Sequence, residues 1–277
     1  MLGQVGRVRI GTSGWRYPAW RGRFYPTGLP QRCELAYLAQ RVNSVEINGS
    51  FYSLQRPEWY RAWSVETPDD FVFAVKGSRF ITHLRQLREV RTPMANFFAS
   101  GVLALEHKLG PVIWQLPPHM RCDLTRLAEF VALLPSTTGQ AARLATEHDD
   151  RLAGRSVTTT GLDRPLRHAI EPRHESFRDP AFRALLADAR VALVISDAAG
   201  AWPVFDDVTT DLAYVRLHGS DELYTSRYTP SALDGWAARI REWHASGLDV
   251  YVYFDNDAEG HAPFDAVALL DRVSDLL

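Results

Sequence analysis

A chain of 277 residues, 46% hydrophobic and 23% charged, can bury a sizeable core, and single α/β barrels of about 250 residues are common. Its formal net charge of −2 gives no overall positive field to draw in nucleic acid or anionic lipid, although it leaves room for a local basic patch. Cys33 and Cys122 lie far apart without a CxxC spacing, which argues against a zinc ribbon or a disulfide framework and suits a reducing cytoplasm.

The amino-terminal stretch MLGQVGRVRIGTSGW lacks the apolar core of a signal peptide, and no apolar run approaches the ~20 residues of a membrane span. The expected location is cytoplasmic, with no membrane partner. Eight short β-branched runs then follow in order, at 8–15, 44–52, 71–79, 110–117, 167–177, 191–198, 212–220 and 249–257. Most segments between them have helical spacing. Residues 92–109 carry Met94, Phe97, Phe98, Leu105 and Leu109 on one stripe, and Trp59 and Trp63 at i, i+4 predict two core positions on a helix. Residues 118–166 are long for one crossover and read as helices near 123–134 and 140–152 followed by a surface loop. Asp179 and Pro180 open another helix. Residues 199–211 are too short for a full helix, and 229–247 has Thr229 as cap, Pro230 in the first turn and Gly247 at the end. Strand and helix alternating eight times predicts one TIM (β/α)8 barrel, a single domain over residues 1–277.

Side chains alternate faces along a strand, so parity places the polar residues. One parity is almost wholly apolar, as in Val8 and Ile10, Val45 and Ile47, Phe73 and Val75, or Val112, Trp114 and Leu116, and belongs under the helices. The other is polar toward the carboxyl end of each strand: Ser13, Glu46, Asn48, Lys76, Gln115, Glu171, Arg173, Asp197, Arg216, His218 and Asp255. Barrel enzymes place their chemistry at those ends. The competing reading is that these charges only satisfy one another, with Arg216 paired to Glu171 or Asp197.

The residue types point to acid–base chemistry on an anion. Glu171, Glu46 and Asp197 are the candidate acids and bases, because neighbouring carboxylates can lift one another's pKa into a useful range. Lys76, Arg173, Arg216 and His218 are candidate anion contacts, and Gly219 lets backbone N–H groups approach a phosphate in the R-L-H-G-S run. Trp15, Phe51 and Tyr52 lie where strands meet loops and could pack in the core or stack on a sugar or base. GTSG at 11–14 is neither a nucleophile elbow nor a phosphate-binding loop of the Walker type. Inward positions offer one histidine, and four carboxylates face three cations, so neither a metal cluster nor a cofactor is expected.

The segments IGTSGW at 10–15, VEINGSFY at 45–52, FAVKGSR at 73–79, IWQLPP at 113–118, IEPRHESF at 170–177, YVRLHGS at 214–220 and VYFDND at 252–257 together resemble the YecE-like family, the domain of unknown function 72. The resemblance spans nearly the whole chain. It implies a TIM barrel with a cleft at the carboxyl ends of its strands, and site positions Glu46, Asn48, Lys76, Gln115, Glu171, Arg173, Asp197, Arg216, His218 and Asn256. Pro172 and Asp255 stand where many relatives have an aromatic and an asparagine. A fold-level analogy to metal-dependent barrel endonucleases also attaches to the family.

The expected function is an enzyme of hydrolase or lyase type acting on a small anionic ligand, such as a phosphorylated sugar, or on a nucleic-acid-like substrate. One alternative is a glycosidase-like enzyme with paired carboxylates and aromatic platforms. Another is a non-catalytic protein that binds an anion or single-stranded nucleic acid.

Overall fold

The computed structural model describes residues 6–277, so the first five residues of the amino-terminal stretch read above lie outside it. Eight strands form: β1 (Val8–Ser13), β2 (Ser44–Ile47), β3 (Val72–Lys76), β4 (Leu109–Gln115), β5 (His168–Glu171), β6 (Val191–Asp197), β7 (Leu212–Leu217) and β8 (Asp249–Phe254). They close into a parallel barrel in chain order. Every predicted strand is present. The runs read from sequence extend beyond several strands, because the polar residues that follow belong to loops.

Between the strands lie α1 (Glu34–Ala39), α2 (Gly49–Tyr52), α3 (Pro57–Val65), α4 (Arg91–Ala99), α5 (Leu124–Ala132), α6 (Thr138–Ala145), α7 (Pro180–Asp188), α8 (Pro230–Ala245) and α9 (Ala262–Arg272). The expected caps hold. Thr229 Oγ1 accepts from the Ala232 N–H at 3.2 Å and Asp179 Oδ1 from the Ala181 N–H at 2.9 Å, each supplying a partner for an N–H that a helix start leaves open. Residues 199–211 form no helix, as their length implied.

Three readings need correction. The stripe over 92–109 is not one helix: α4 stops, Gly101 turns left-handed at φ 119°, and a 3₁₀ segment runs over Val102–Lys108. A side chain at Gly101 would press on the backbone of Pro57 at 2.6 Å, so only glycine fits there. The helix expected over 140–152 ends at Ala145 and is followed by a separate short turn, Asp150–Leu152. On α3, Trp63 is buried but Trp59 is 47% exposed. The i, i+4 spacing put both on one side, yet Trp59 sits in the first turn, beyond the edge of the core.

The chain groups into two compact units, residues up to Glu46 with Ala192–Leu277, and Ile47–Val191. In the first, the register sets Ser13 against Glu46, Tyr214 against Tyr251 and Arg216 against Tyr253. Tyr214, Tyr251 and Tyr253 stand on one face, the first two stacked at 6.5 Å. In the second, Trp114 takes the outward parity and packs on Phe97 of α4 and Phe130 of α5, with ring centroids 5.4 Å away in both cases.

Candidate functional site

The first unit is organised by Arg216, wholly buried near the end of β7. Its Nε and Nη2 donate to the two carboxylate oxygens of Glu46 at 3.1 and 2.9 Å. Nη2 also reaches Asp255 Oδ2 at 2.9 Å and Ser13 Oγ at 3.2 Å. Glu46 accepts two further bonds, from Ser13 Oγ at 2.9 Å and Tyr214 Oη at 2.7 Å. These bonds leave both oxygens of the buried carboxylate well partnered. Arg216 thus pairs with Glu46 and Asp255.

His218 is also buried. Its Nε2 faces Arg216 Nη1 at 3.3 Å and its Nδ1 faces Asp255 Oδ2 at 3.1 Å. Arginine can only donate, so Nε2 accepts and the ring hydrogen sits on Nδ1, toward Asp255. Trp202 and Tyr224 stand edge-on to the ring at 5.1 and 5.5 Å. Asp197, at the end of β6, is half-buried and accepts from Tyr228 Oη at 3.1 Å. Burial pushes its carboxyl above the usual range, against the opposing pull of the Tyr228 and backbone hydrogen bonds.

Gly219 turns at φ 122°, where a side chain would meet the Glu222 carbonyl, and its N–H donates to Tyr228 Oη at 3.2 Å. Asn256 is buried behind the loop after β7, its Nδ2 donating to Ser226 O and Asp265 Oδ2, both at 2.9 Å. Both residues brace that loop. Trp15 is buried, and its carbonyl accepts from Tyr25 Oη at 2.7 Å. Sequence reading overlooked Asp257, which is buried just beyond β8 and whose oxygens accept no well-formed hydrogen bond among the described residues. Burial first, then the neighbouring Asp255 charge, lift its carboxyl well above the usual range, while Tyr17, Trp20 and Arg216 pull the other way.

The second unit gathers the basic residues. Lys76 ends β3, and its Nζ lies 4.4 Å from the centre of the Phe51 ring. His83 stands edge-to-face against the same ring at 5.1 Å, its Nδ1 2.8 Å from Thr82 Oγ1. Lys76, Arg173, Arg79 and His119 all act on His83, and together with burial, the largest cause, they hold it down at about 4. Glu171 ends β5, wholly buried, and its Oε1 accepts from Arg173 Nε and Nη2 at 3.2 and 2.9 Å. Gln115 ends β4 and is buried, and the buried Oδ1 of Asn48 has no hydrogen-bond partner among the described residues. Tyr52 meets Phe51 edge-on at 5.1 Å and is 69% exposed. His174 organises the loop after β5, its Nδ1 accepting from the Ser176 N–H at 3.1 Å.

Arg79 and His119 lie in loops and His83 on a single π-helical turn, Phe80–Leu84, where no strand periodicity marks them. Tyr214 and Tyr253 share the inward parity, but aromatic residues in a strand read as core. Among the described residues no group of three or more His, Cys, Asp or Glu side chains is placed to hold a metal ion. No helix among them is long and apolar enough to cross a membrane.

The family model described as protein of unknown function DUF72 matches residues 9–276. The chain belongs to this family. DUF72 relatives include the UPF0759 protein YecE of Escherichia coli K12, 25% identical over 86% of this chain and 82% of that protein. The UPF0759 protein YunF of Bacillus subtilis is 24% identical over 95% and 94%. A DUF72 structure from Thermotoga maritima superposes with a TM-score of 0.74 at 22% identity, covering 97% of this chain and 99% of its own. One from Enterococcus faecalis gives 0.71 at 18%, covering 96% and 95%. At those identities the structures speak for the fold.

Proposed function

We propose that this protein is an enzyme performing acid–base chemistry of the hydrolase or lyase type on an anionic, phosphate-bearing sugar or nucleic-acid-like substrate. The observation that carries the reading is the pair of basic side chains on one ring, Lys76 Nζ 4.4 Å and His83 5.1 Å from the centre of Phe51, with Lys76 and Arg173 only 7% and 8% exposed and with Arg173, Arg79 and His119 also acting on His83. Lys76 and Arg173, both drawn largely out of water, favour an oxyanion, for which Arg173 supplies a planar fork and Lys76 a point charge.

Glu171 is the proposed general acid or base. Arg173 rests its Nε and Nη2 on Glu171 Oε1. A substrate phosphate that draws the guanidinium away leaves the carboxyl buried with less support, which raises its proton affinity toward that of a working acid. Phe51 and the exposed Tyr52 offer an apolar face for a sugar or base next to these charges, and Asn48 Oδ1 can accept from a hydroxyl. In its own unit, Asp197 is a further acid–base candidate, since burial already raises its carboxyl.

The test is turnover of a panel of sugar phosphates and short single-stranded oligonucleotides by the wild type and Glu171→Gln. Product formed by the wild type and reduced at least about 100-fold in Glu171→Gln, with binding retained, supports the enzyme reading. Binding without turnover in either protein replaces it with a binding protein. Absence of both binding and turnover removes it.

A further inference from the structure

The anion site proposed above rests on basic groups that include a histidine. His83 is carried on a single π-helical turn, Phe80–Leu84, directly after the loop that leaves β3. Such turns are rare and occur often at functional sites. Three non-glycine residues with left-handed backbone follow it, Gln86 at φ 49°, Leu87 at 66° and Glu89 at 49°. Backbone of this kind is costly and persists where the surroundings impose it. The side chain so presented is half-buried, with one nitrogen on Thr82 Oγ1 and one ring edge on Phe51, across from Lys76.

We infer that His83 belongs to the anion site and takes up a proton when a dianion such as a phosphate monoester binds. This deepens the proposed function and rests on it. The groups facing His83 are Lys76 at the end of β3, Arg79 in the loop leading to the turn, Arg173 after β5 and His119 after β4. Burial first, and then these basic groups, keep the imidazole neutral at neutral pH in the free protein. A dianion held by Lys76 and Arg173 opposes that field and favours the protonated ring. The imidazole then becomes a cation and a third charged contact. A protonated histidine beside a phosphate ester can also hand its proton to a departing oxygen, which makes His83 a candidate acid for the reaction. The linkage favours dianionic esters over monoanionic diesters, because the larger negative charge does more to oppose the basic neighbours.

Sulfate is a suitable probe, because it stays a dianion across the neutral range and any proton taken up belongs to the protein. Its affinity is measured at low ionic strength from neutral pH downward for the wild type, His83→Gln, His119→Gln and Lys76→Met. The His83 ring resonance, assigned by its loss in His83→Gln, is followed in the same titrations. The expected result is wild-type affinity rising by up to about tenfold per pH unit as pH falls below the bound-state pKa, a nearly flat profile for His83→Gln, and a ring resonance whose pKa moves up from about 4 by about three pH units with sulfate bound. Sulfate binding that depends on Lys76, with the His83 resonance and the pH profile unmoved, overturns the role of His83 and leaves the anion site standing. Failure of sulfate to bind the wild type overturns both.

Discussion

Arg216 and Glu46 grip each other through two hydrogen bonds, at 2.9 and 3.1 Å, with neither side chain exposed to solvent. The pair sits where β2 and β7 bring an acid and a base to the inward face of the first unit. Their attraction offsets desolvation only because Ser13, Tyr214 and Asp255 complete the hydrogen bonding.

Removing one partner leaves the other buried and uncompensated. Arg216→Met is therefore expected to lower unfolding free energy by about 3–5 kcal/mol, and Tyr214→Phe by about 1 kcal/mol, the value of one hydrogen bond. Urea denaturation of the three proteins checks this. A loss below about 1 kcal/mol for Arg216→Met would mean that the network does not hold the native state together.

His168 gives a second, independent prediction. It is buried between Trp114, whose Nε1 donates to its Nδ1 at 3.1 Å, and Pro135, whose carbonyl is 2.8 Å from Nε2. That pattern requires the neutral ring with its hydrogen on Nε2. Burial holds its pKa down at about 4, against an unfolded value of 6.5. Below 6.5 the unfolded chain takes up a proton that the folded chain refuses, so stability falls as pH drops from 6.5 to about 4. His168→Gln should reduce that slope by one proton while lowering stability at neutral pH. An unchanged slope would show that His168 does not titrate on unfolding.

Asp257 predicts the opposite slope. Its folded pKa is raised above the ordinary 3.8, mainly by burial. Above 3.8 the unfolded chain releases a proton that the folded chain keeps, so Asp257 erodes stability as pH rises from 3.8 toward its folded value. Asp257→Asn is expected to be more stable than wild type at neutral pH and to lose this part of the pH dependence. Equal stability of the two proteins across that range would show that the carboxyl is well satisfied as an anion.

Much of this fold can be read from the chain because its signals are local. Thr229 followed by Pro230 marks a helix start by its own chemistry, and the apolar run around Trp114 marks a strand with helices over it. Where the outcome depends on distant contacts, the local signal fails. The apolar stripe continues past Ala99, yet the close approach of Pro57 to Gly101 breaks the helix. The site follows the same division. Parity brought out Glu46, Lys76, Glu171 and Arg216, since strand alternation fixes where a side chain points. It gave no access to His83, which sits on a π-helical turn, or to Asp257, beyond the end of β8. Parity also could not choose the partner of Arg216, which depends on the register of β1, β2, β7 and β8.

The central claim is that the basic residues around His83 hold a phosphate group, and calorimetric titration with inorganic phosphate at low ionic strength tests it most directly. The wild type is expected to bind one phosphate per chain, with affinity lowered at least about tenfold, or 1.4 kcal/mol, in both Lys76→Met and Arg173→Met when each is confirmed folded. Wild-type protein that binds no phosphate, or variants that bind it as tightly as the wild type, would contradict the account.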